Sequence, residues 1–242
     1  MGDLCAGIRI AGVCWLIAFG IGVIAIPGAM ADLKVYDHFD ADDIDPSWTV
    51  TMDLVTGWTY EVASSWLTVS QILFDQMHGD WSTVALTQEF APLGDLTVNL
   101  DLAWDSAGSN TAMQNISLGL YDTNDDNVIW AIYHDAWSAN RGRVTAIIDE
   151  SIYDGPNNLP HSGTGSFVIA RTDGFVSISW EGDEVLTGTT EAPIDRLELR
   201  FQAGAWPTAT FGELAVDLIS CEGEETTPVA GSTWGNIKAL FR

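Results

Sequence analysis

The chain has 242 residues, of which 47% are hydrophobic and 10% aromatic. This composition excludes disorder over most of the length and supplies enough apolar side chains for one large core. The formal net charge is −25, from 9 Lys and Arg against 34 Asp and Glu. Such a charge excludes long-range attraction to nucleic acid or an anionic membrane, and it favours neutral or cationic partners.

The first 31 residues have the layout of a secretory signal peptide. Arg9 precedes an apolar run over residues 10–26, and Ala29-Met30-Ala31 places small residues where signal peptidase reads them. We expect cleavage after Ala31 and an extracellular or cell-surface location; an uncleaved anchor is the alternative. Of the three cysteines, only Cys221 lies beyond the signal, so the mature chain is expected to have no internal disulfide.

Short alternating runs of apolar and polar residues predict β-strands through the rest of the chain. In residues 95–104 every second residue is apolar, and residues 115–121 and 128–134 form a hairpin around an Asp- and Asn-rich turn. No convincing amphipathic helix lies between residues 32 and 220. The spacing predicts an all-β chain with one antiparallel jelly-roll β-sandwich over residues 34–221. Four further strands are predicted at residues 166–170, 175–180, 196–202 and 213–219.

The end of the chain differs in composition. Residues 222–232 are acidic and rich in small residues, which is typical of a linker. In the tail, residues 233–242, Trp234, Ile237 and Phe241 share one face of a short helix. The tail resembles a terminal S/T-x-W-G-x-I-K-x-L-(Y/F)-R phrase of exported bacterial proteins, which implies sorting or attachment. A helix docked on the sandwich is the alternative, and membrane contact is expected at most through the signal or this tail.

The opening phrase of the mature chain carries a family resemblance. Residues 36–48 (YDHFDADDIDPSW) resemble the D-x-F-D…(L/I)-D-P-x-W opening of concanavalin A-like lectin/glucanase domains. Residues 65–69, 167–174 and 210–217 resemble an early strand, a hairpin and the closing strand of these domains. The resemblance covers residues 34–221 and implies the jelly-roll fold. That fold carries lectins, glycosidases, laminin G-like modules and adhesive domains, so it leaves the function open.

The catalytic motif of the laminarinase-type members is missing. Their E-x-D-x-x-E strand supplies a nucleophile and an acid from one face, because residues two apart point the same way. The nearest acidic cluster, residues 181–184, lies on a predicted turn and lacks the spacing. We therefore predict a non-catalytic module that binds a polysaccharide or glycoconjugate. The alternatives are a diverged glycoside hydrolase or lyase, and a structural or adhesion domain without a sugar site.

Aromatic and polar residues predict where a sugar would bind. Flat rings stack on sugar rings, and a few placed polar groups fix the hydroxyls. Tyr133 and Asp135 share one strand face and Trp137 follows them, so these three are candidate ligand-binding residues. Trp130 has apolar residues two positions away on either side, so it is predicted to lie in the core. Core packing is also the alternative for Tyr133 and Trp137.

A charged row is predicted on the strand at residues 196–202. Arg196, Glu198, Arg200 and Gln202 share one face. Arg200 and Gln202 are further candidate ligand-binding residues, because such a row can line the concave face where this fold binds glycans. A solvated row without a ligand is the alternative.

Acidic residues in the opening segment predict a structural calcium site. Asp37 and Asp40 lie in the opening segment, and Asp217 approaches them if the closing strand pairs with the opening one. Carboxylate oxygens are the ligands that Ca²⁺ prefers. Solvated loop acids are the alternative, and no other cofactor is predicted.

Overall fold

The computed structural model describes residues 32–74, 81–105, 114–122, 124, 127–136, 141–155, 158–190, 192–204 and 212–226. Within these ranges the regular secondary structure consists of β-strands alone, so the prediction of an all-β fold is confirmed. The predicted signal peptide, the tail and residues 227–232 of the linker lie outside the described residues. None of the described segments is a helix that could cross a membrane.

The strands that the structure describes are, in chain order, β1 Asp32–Asp37, β2 Thr49–Asp53, β3 Val55–Ala63, β4 Trp66–Phe74, β5 Trp81–Asp105, β6 Gln114–Asp122, β7 Asn127–Ala136, β8 Arg141–Ile148, β9 Ser151–Asp154, β10 Ser162–Thr172, β11 Phe175–Trp180, β12 Asp183–Thr189, β13 Ile194–Gly204 and β14 Glu213–Glu225. All pairings between them are antiparallel. Strand β14 runs past residue 221, so the sandwich includes the first four residues of the predicted linker.

The long strand β5 belongs to both layers of the sandwich. Before Leu93 it pairs with β13 and β2, and after Leu93 it pairs with β10 and β14. The first layer therefore has the order β2-β5-β13-β6-β7-β8-β9. The second layer has the order β12-β11-β10-β5-β14, and β14 also pairs with β1 and with β4, which pairs with β3.

The core lies between these layers and follows the predicted alternation of β5. Leu96, Val98, Leu100, Leu102 and Trp104 are all buried, as predicted. The Trp104 ring stacks on Tyr133 of β7 with a centroid separation of 4.3 Å, so the second layer packs directly on the first. Burial of these apolar side chains is the main stabilising contribution in a fold without a disulfide among its described residues.

The opening D-x-F-D phrase has a structural role. The Asp37 carboxylate accepts hydrogen bonds from the backbone N–H of Phe39 at 2.6 Å and from Nε1 of Trp48 at 2.7 Å. Phe39 has a φ of 51°, and both aromatic side chains are buried. Asp37 thus holds together a strained turn and a buried indole beside β1, which pairs with β14 as the resemblance implied.

Candidate functional site

Polar and aromatic side chains lie together on the outer face of the first layer. In β13, Leu197, Leu199 and Phe201 point into the core, so the residues between them point outward. Cross-strand pairing extends this outward row onto β6 and β7. The outward positions, here called the groove face, are Arg196, Glu198, Arg200 and Gln202 of β13, Asn115, Ser117, Gly119 and Tyr121 of β6, and Trp130, Ile132 and His134 of β7.

Trp130 lies on the groove face, so its predicted place in the core is wrong. The buried residues of β7 are Ile129, Ala131 and Tyr133. Both faces of this strand carry apolar side chains, and alternation alone therefore assigned the wrong one to the core. The Trp130 ring lies across Gly119, its cross-strand partner: a Cβ atom at position 119 would lie 2.8 Å from Cζ3 of Trp130.

Tyr133 is buried completely, which corrects its assignment to a ligand site. Its ring stacks on Trp104 and packs against the backbone of Gly142, where an added Cβ would lie 2.6 Å from the Tyr133 hydroxyl. A ligand in solvent has no access to this ring. Asp135 lies in β7 opposite Gln114, but its side chain is outside the described part of the structure, and Trp137 lies wholly outside the described residues.

Two arginines pack against the aromatic rings of the groove face. The guanidinium carbon of Arg196 lies 4.1 Å from the ring centroid of Tyr121. That of Arg200 lies 4.6 Å from the Trp130 ring and 5.9 Å from the Tyr121 ring. Tyr121 and Trp130 meet edge to face at 5.9 Å. These cation–π contacts place two guanidinium groups and two rings in one continuous array.

Hydrogen bonds to Glu198 hold this array in place. Arg200 Nε donates to Glu198 Oε1, Arg200 Nη2 donates to the Tyr121 hydroxyl at 2.5 Å, and that hydroxyl donates to Glu198 at 3.2 Å. The side chain of Glu198 is 12% exposed and that of Arg200 is 29% exposed. Because the three groups restrain one another, little side-chain entropy remains to be lost when a ligand binds.

Gln202, the second candidate on β13, also lies on the groove face. Its Nε2 donates to Thr83 Oγ1 at 2.9 Å. The structure therefore brings Arg200 and Gln202 to one face with Trp130 beside them, whereas Tyr133 lies in the core. Tyr121, Glu198 and Gly119 complete the array and were missed as site residues.

An open groove runs beside the array, between β13 and the edge strand β2. It has a volume of about 550 Å³. One wall carries hydroxyl groups, which both donate and accept hydrogen bonds, and the other carries charged groups. Such a lining matches the alternating hydroxyls of a saccharide. The lining residues are Ser47, Thr49, Thr51, Thr87, Glu89, Arg196 and Glu198.

Polar atoms are also buried beneath the groove face. Ser117 Oγ and Asn115 Oδ1 are inaccessible to solvent and have no hydrogen-bond partner within the described structure. Ser117 lies opposite Arg200, and Asn115 lies opposite Gln202. A buried polar atom without a hydrogen-bond partner lowers stability by about 1–3 kcal/mol. These two atoms could therefore form a hydrogen bond with a water molecule or a hydroxyl group.

His134 forms a polar chain at the far side of the groove face. Its Nε2 lies 3.1 Å from Thr145 Oγ1, which donates to Asp154 Oδ1 at 3.1 Å. Because the single Thr145 hydroxyl hydrogen is used in that bond, His134 donates from Nε2. Burial and, to a smaller extent, the charge of Arg143 lower the pKa of His134 to about 4, with Asp154 opposing the shift. The imidazole is therefore neutral at neutral pH.

The hydrogen-bonded chain of His134, Thr145 and Asp154 predicts that the protein becomes less stable in acid. Below pH 6.5 the unfolded state takes up a proton at residue 134 that the folded state refuses until about pH 4. We expect His134 to lower the free energy of unfolding by roughly 2–3 kcal/mol as the pH falls from 6.5 to 4, at about 1.4 kcal/mol per pKa unit. Urea denaturation of wild type and His134→Gln at several pH values checks this: the stability difference between them should change over that interval. A pH-independent difference would contradict the assignment.

The three residues predicted to bind calcium each contact different groups of the protein. Both oxygens of Asp37 accept hydrogen bonds, Asp40 accepts one from Ser65 Oγ at 2.6 Å, and Asp217 lies 4.0 Å from His38 Nδ1. Within the described residues no three His, Cys, Asp or Glu side chains converge as metal ligands. The structure therefore does not assemble the predicted calcium set.

Asp217 instead lines a depression of about 270 Å³ on the outer face of the second layer, with Trp66, Asp101 and Glu181. Burial raises the pKa of Asp101, Asp217 and Glu181 raise it further, and His38 partly opposes them. This depression is acidic and lies on the opposite side of the sandwich from the groove face. It provides a natural control surface for binding experiments.

No family model and no curated protein sequence matches this chain. Solved structures do match it in fold. The CBM2 module of the evolved Dit of Lactobacillus casei BL23 phage J-1 aligns with a TM-score of 0.56 and 10% identity, over 81% of this chain and 97% of that one. SCLam, a non-specific endo-β-1,3(4)-glucanase of family GH16, aligns with a TM-score of 0.55 and 11% identity, over 81% and 92%.

The carbohydrate recognition domain of Emp47p aligns with a TM-score of 0.52 and 8% identity, over 77% of this chain and 93% of that one. At these identities the likeness concerns the fold alone. The chain therefore shares an antiparallel jelly-roll β-sandwich fold with these proteins.

Proposed function

We propose that this chain is an exported, non-catalytic module that binds carbohydrate on its groove face. The observation that carries the proposal is the array of Trp130, Tyr121, Arg196, Arg200 and Glu198 beside a hydroxyl-lined groove. The neighbours of the same fold support a saccharide as the ligand class. Export rests on the signal-like residues 1–31, and residues 233–242 are proposed as a sorting or attachment tail.

The array supplies what a sugar needs in one place. Trp130 offers half-buried ring surface for the apolar face of a pyranose, and the buried Tyr121 ring supports the two arginines beside it. Arg200 and Glu198 are held in fixed rotamers and can bond hydroxyls at the ring's edge. Ser47 and the Thr side chains of β2 and β5 can bond hydroxyls further along the saccharide. Preorganisation of these groups reduces the entropic cost of binding.

A hydrolase is the second candidate, because two carboxylates line the same groove. Glu198 lies opposite Thr87, and Glu89 lies opposite Arg196, so the two glutamates are diagonal neighbours across β13 and β5. The backbone positions of diagonal neighbours are about 7–8 Å apart, so two long glutamate side chains can reach the separation of about 6.5–9.5 Å that inverting glycosidases hold between their carboxyls. Release of reducing ends that Glu89→Gln and Glu198→Gln both abolish would replace the binding proposal with this one.

Gly119→Ala tests the binding proposal through the position of Trp130. The new methyl group would overlap the far end of the indole, which must swing away from the array. We expect binding on a glycan array to fall by at least about tenfold, since a displaced hot-spot ring forfeits more than about 1.4 kcal/mol. The fold should survive, because Trp130 is not part of the core.

Gly57→Ala is the matched control for this variant. Its added Cβ meets only Leu73 at 3.5 Å, an ordinary contact, and it lies in the second layer. Binding by this variant should equal that of the wild type. Full binding by Gly119→Ala, with its thermal stability unchanged, would remove Trp130 from the site and contradict the proposal.

A further inference from the structure

The edge strand β2 is exposed along its whole length. All five of its residues, Thr49–Asp53, are exposed, and within the described part of the chain β2 pairs with β5 alone. Val50 and Met52 are 40% and 51% exposed, although their cross-strand partners Leu86 and Val84 are fully buried in the core. The side of β2 that turns toward the core is therefore partly uncovered, and its outer edge presents backbone N–H and C=O groups on which a further strand can pair.

The other described edge strands each have a feature that hinders such pairing. The edges of the second layer, β1, β3 and β12, pair with their neighbours in an irregular register, and bulges of this kind disrupt a continued ladder. At the far end of the first layer β9 is regular, but Glu150 precedes it and Asp154 ends it. Self-pairing of β9 about Ile152 would set these two acids against each other. Strand β2 has a regular register, and its first four residues are uncharged.

The sequence of β2 fits an antiparallel copy of itself. With Thr51 on a two-fold axis, Thr51 lies opposite Thr51 of the second copy, Val50 lies opposite Met52, and Thr49 lies opposite Asp53. The apolar pair covers surface that a single copy leaves exposed. The Asp53 carboxylates of the two copies are four residues apart along the strand, or about 14 Å, which exceeds the Debye length of about 8 Å. The charges of β2 itself therefore oppose this pairing little.

We propose that two copies of this chain pair through β2 into a two-fold dimer in which the two first layers form one continuous sheet. Paired strands of one sheet keep the same faces on the same side, so both groove faces point in one direction. Thr49 and Thr51, which line the groove, then adjoin the same residues of the second copy. The two grooves lie about 14 Å apart, three strand spacings between one β5 and the other.

This pairing goes beyond the proposed function and does not depend on it. Where the groove face binds sugar, the dimer engages a polysaccharide surface at two points, and the second contact raises the avidity without any new kind of contact. A five-residue strand pair buries less than the roughly 1,200 Å² that marks the lower limit of most stable interfaces. We therefore expect a reversible dimer with a dissociation constant in the micromolar range.

Sedimentation velocity of the mature chain, which begins at Asp32, tests the pairing over a series of protein concentrations. Thr51→Glu sets two like charges directly opposite each other, and it should weaken dimerisation by at least about tenfold. Thr51→Gln has a side chain of similar size without the charge, and it should dimerise like the wild type. Ile152→Glu adds the same charge at the exposed edge strand β9, and it should also leave the dimer intact.

A mixture of two variants tests whether position 51 faces itself. Thr51→Glu mixed with Thr51→Lys should form a mixed dimer more readily than Thr51→Glu forms its own, because glutamate in one copy then faces lysine in the other. Native mass spectrometry with an isotope label on one variant detects it. A wild type that stays monomeric at every concentration, or a dimer that Thr51→Glu does not weaken, overturns the inference. Either result leaves the proposed function standing, since each copy has its own groove face.

Discussion

Replacement of Tyr133 by alanine is expected to lower the free energy of unfolding by about 3–5 kcal/mol, the usual cost of truncating a buried aromatic side chain. The ring is fully buried, stacks on Trp104 and joins the two layers of the sandwich. Its removal leaves a cavity at that junction. Urea denaturation followed by circular dichroism measures the loss.

Tyr36→Ala is the matched control, because that tyrosine is 57% exposed. Its stability should change by less than about 1 kcal/mol. The Tyr133 variant also distinguishes the two assignments of β7. If Tyr133→Ala keeps the wild-type stability and loses sugar binding, Tyr133 faces a ligand and the register of β7 described here is wrong.

Replacement of Trp130 by alanine is expected to lower the affinity for the bound glycan by about 100-fold, or nearly 3 kcal/mol, which is typical of an aromatic hot spot. The variant removes the ring on which Arg200 rests and exposes Gly119. Stability should fall much less than in Tyr133→Ala, because Trp130 is only half-buried and lies outside the core. Calorimetric titration with an oligosaccharide selected on a glycan array measures the effect.

Trp66→Ala provides the control for that experiment. Trp66 is also half-buried, but it lines the acidic depression on the other layer. Its loss should leave the affinity unchanged. An equal loss of affinity in both variants would point to a general disturbance of the sandwich, and a loss in Trp66→Ala alone would move the site to the second layer.

The fold could be predicted from the sequence because apolar and polar residues alternate along its strands. In residues 95–104 every second side chain is predicted to lie in the core. All of these side chains are buried in the structure. The hairpin of β6 and β7 was likewise predictable from its turn residues. The double role of β5 was not predicted, although Pro92 and Gly94, two residues that interrupt regular strand pairing, flank Leu93, where the strand changes its partners.

The candidate site was predicted only in part, and β7 shows why. Ile129, Ala131 and Tyr133 alternate with Val128, Trp130 and Ile132, so both faces of the strand are apolar and the period of two cannot choose between them. The row on β13 had no such ambiguity, since Leu197, Leu199 and Phe201 alternate with charged residues. The pairing of Trp130 with Gly119, a residue that leaves room for a ring, was the available signal for the correct face.

The most direct test of the account is a nuclear magnetic resonance titration of the indole N–H groups of the full chain with the bound oligosaccharide. The signals of Trp130 and Trp66 are assigned from their alanine variants. A saccharide on the groove face should shift the Trp130 signal and leave that of Trp66 in place, since the two rings lie on the outer faces of opposite layers. A shifted Trp66 signal with an unchanged Trp130 signal would contradict the central claim that the groove face binds the sugar.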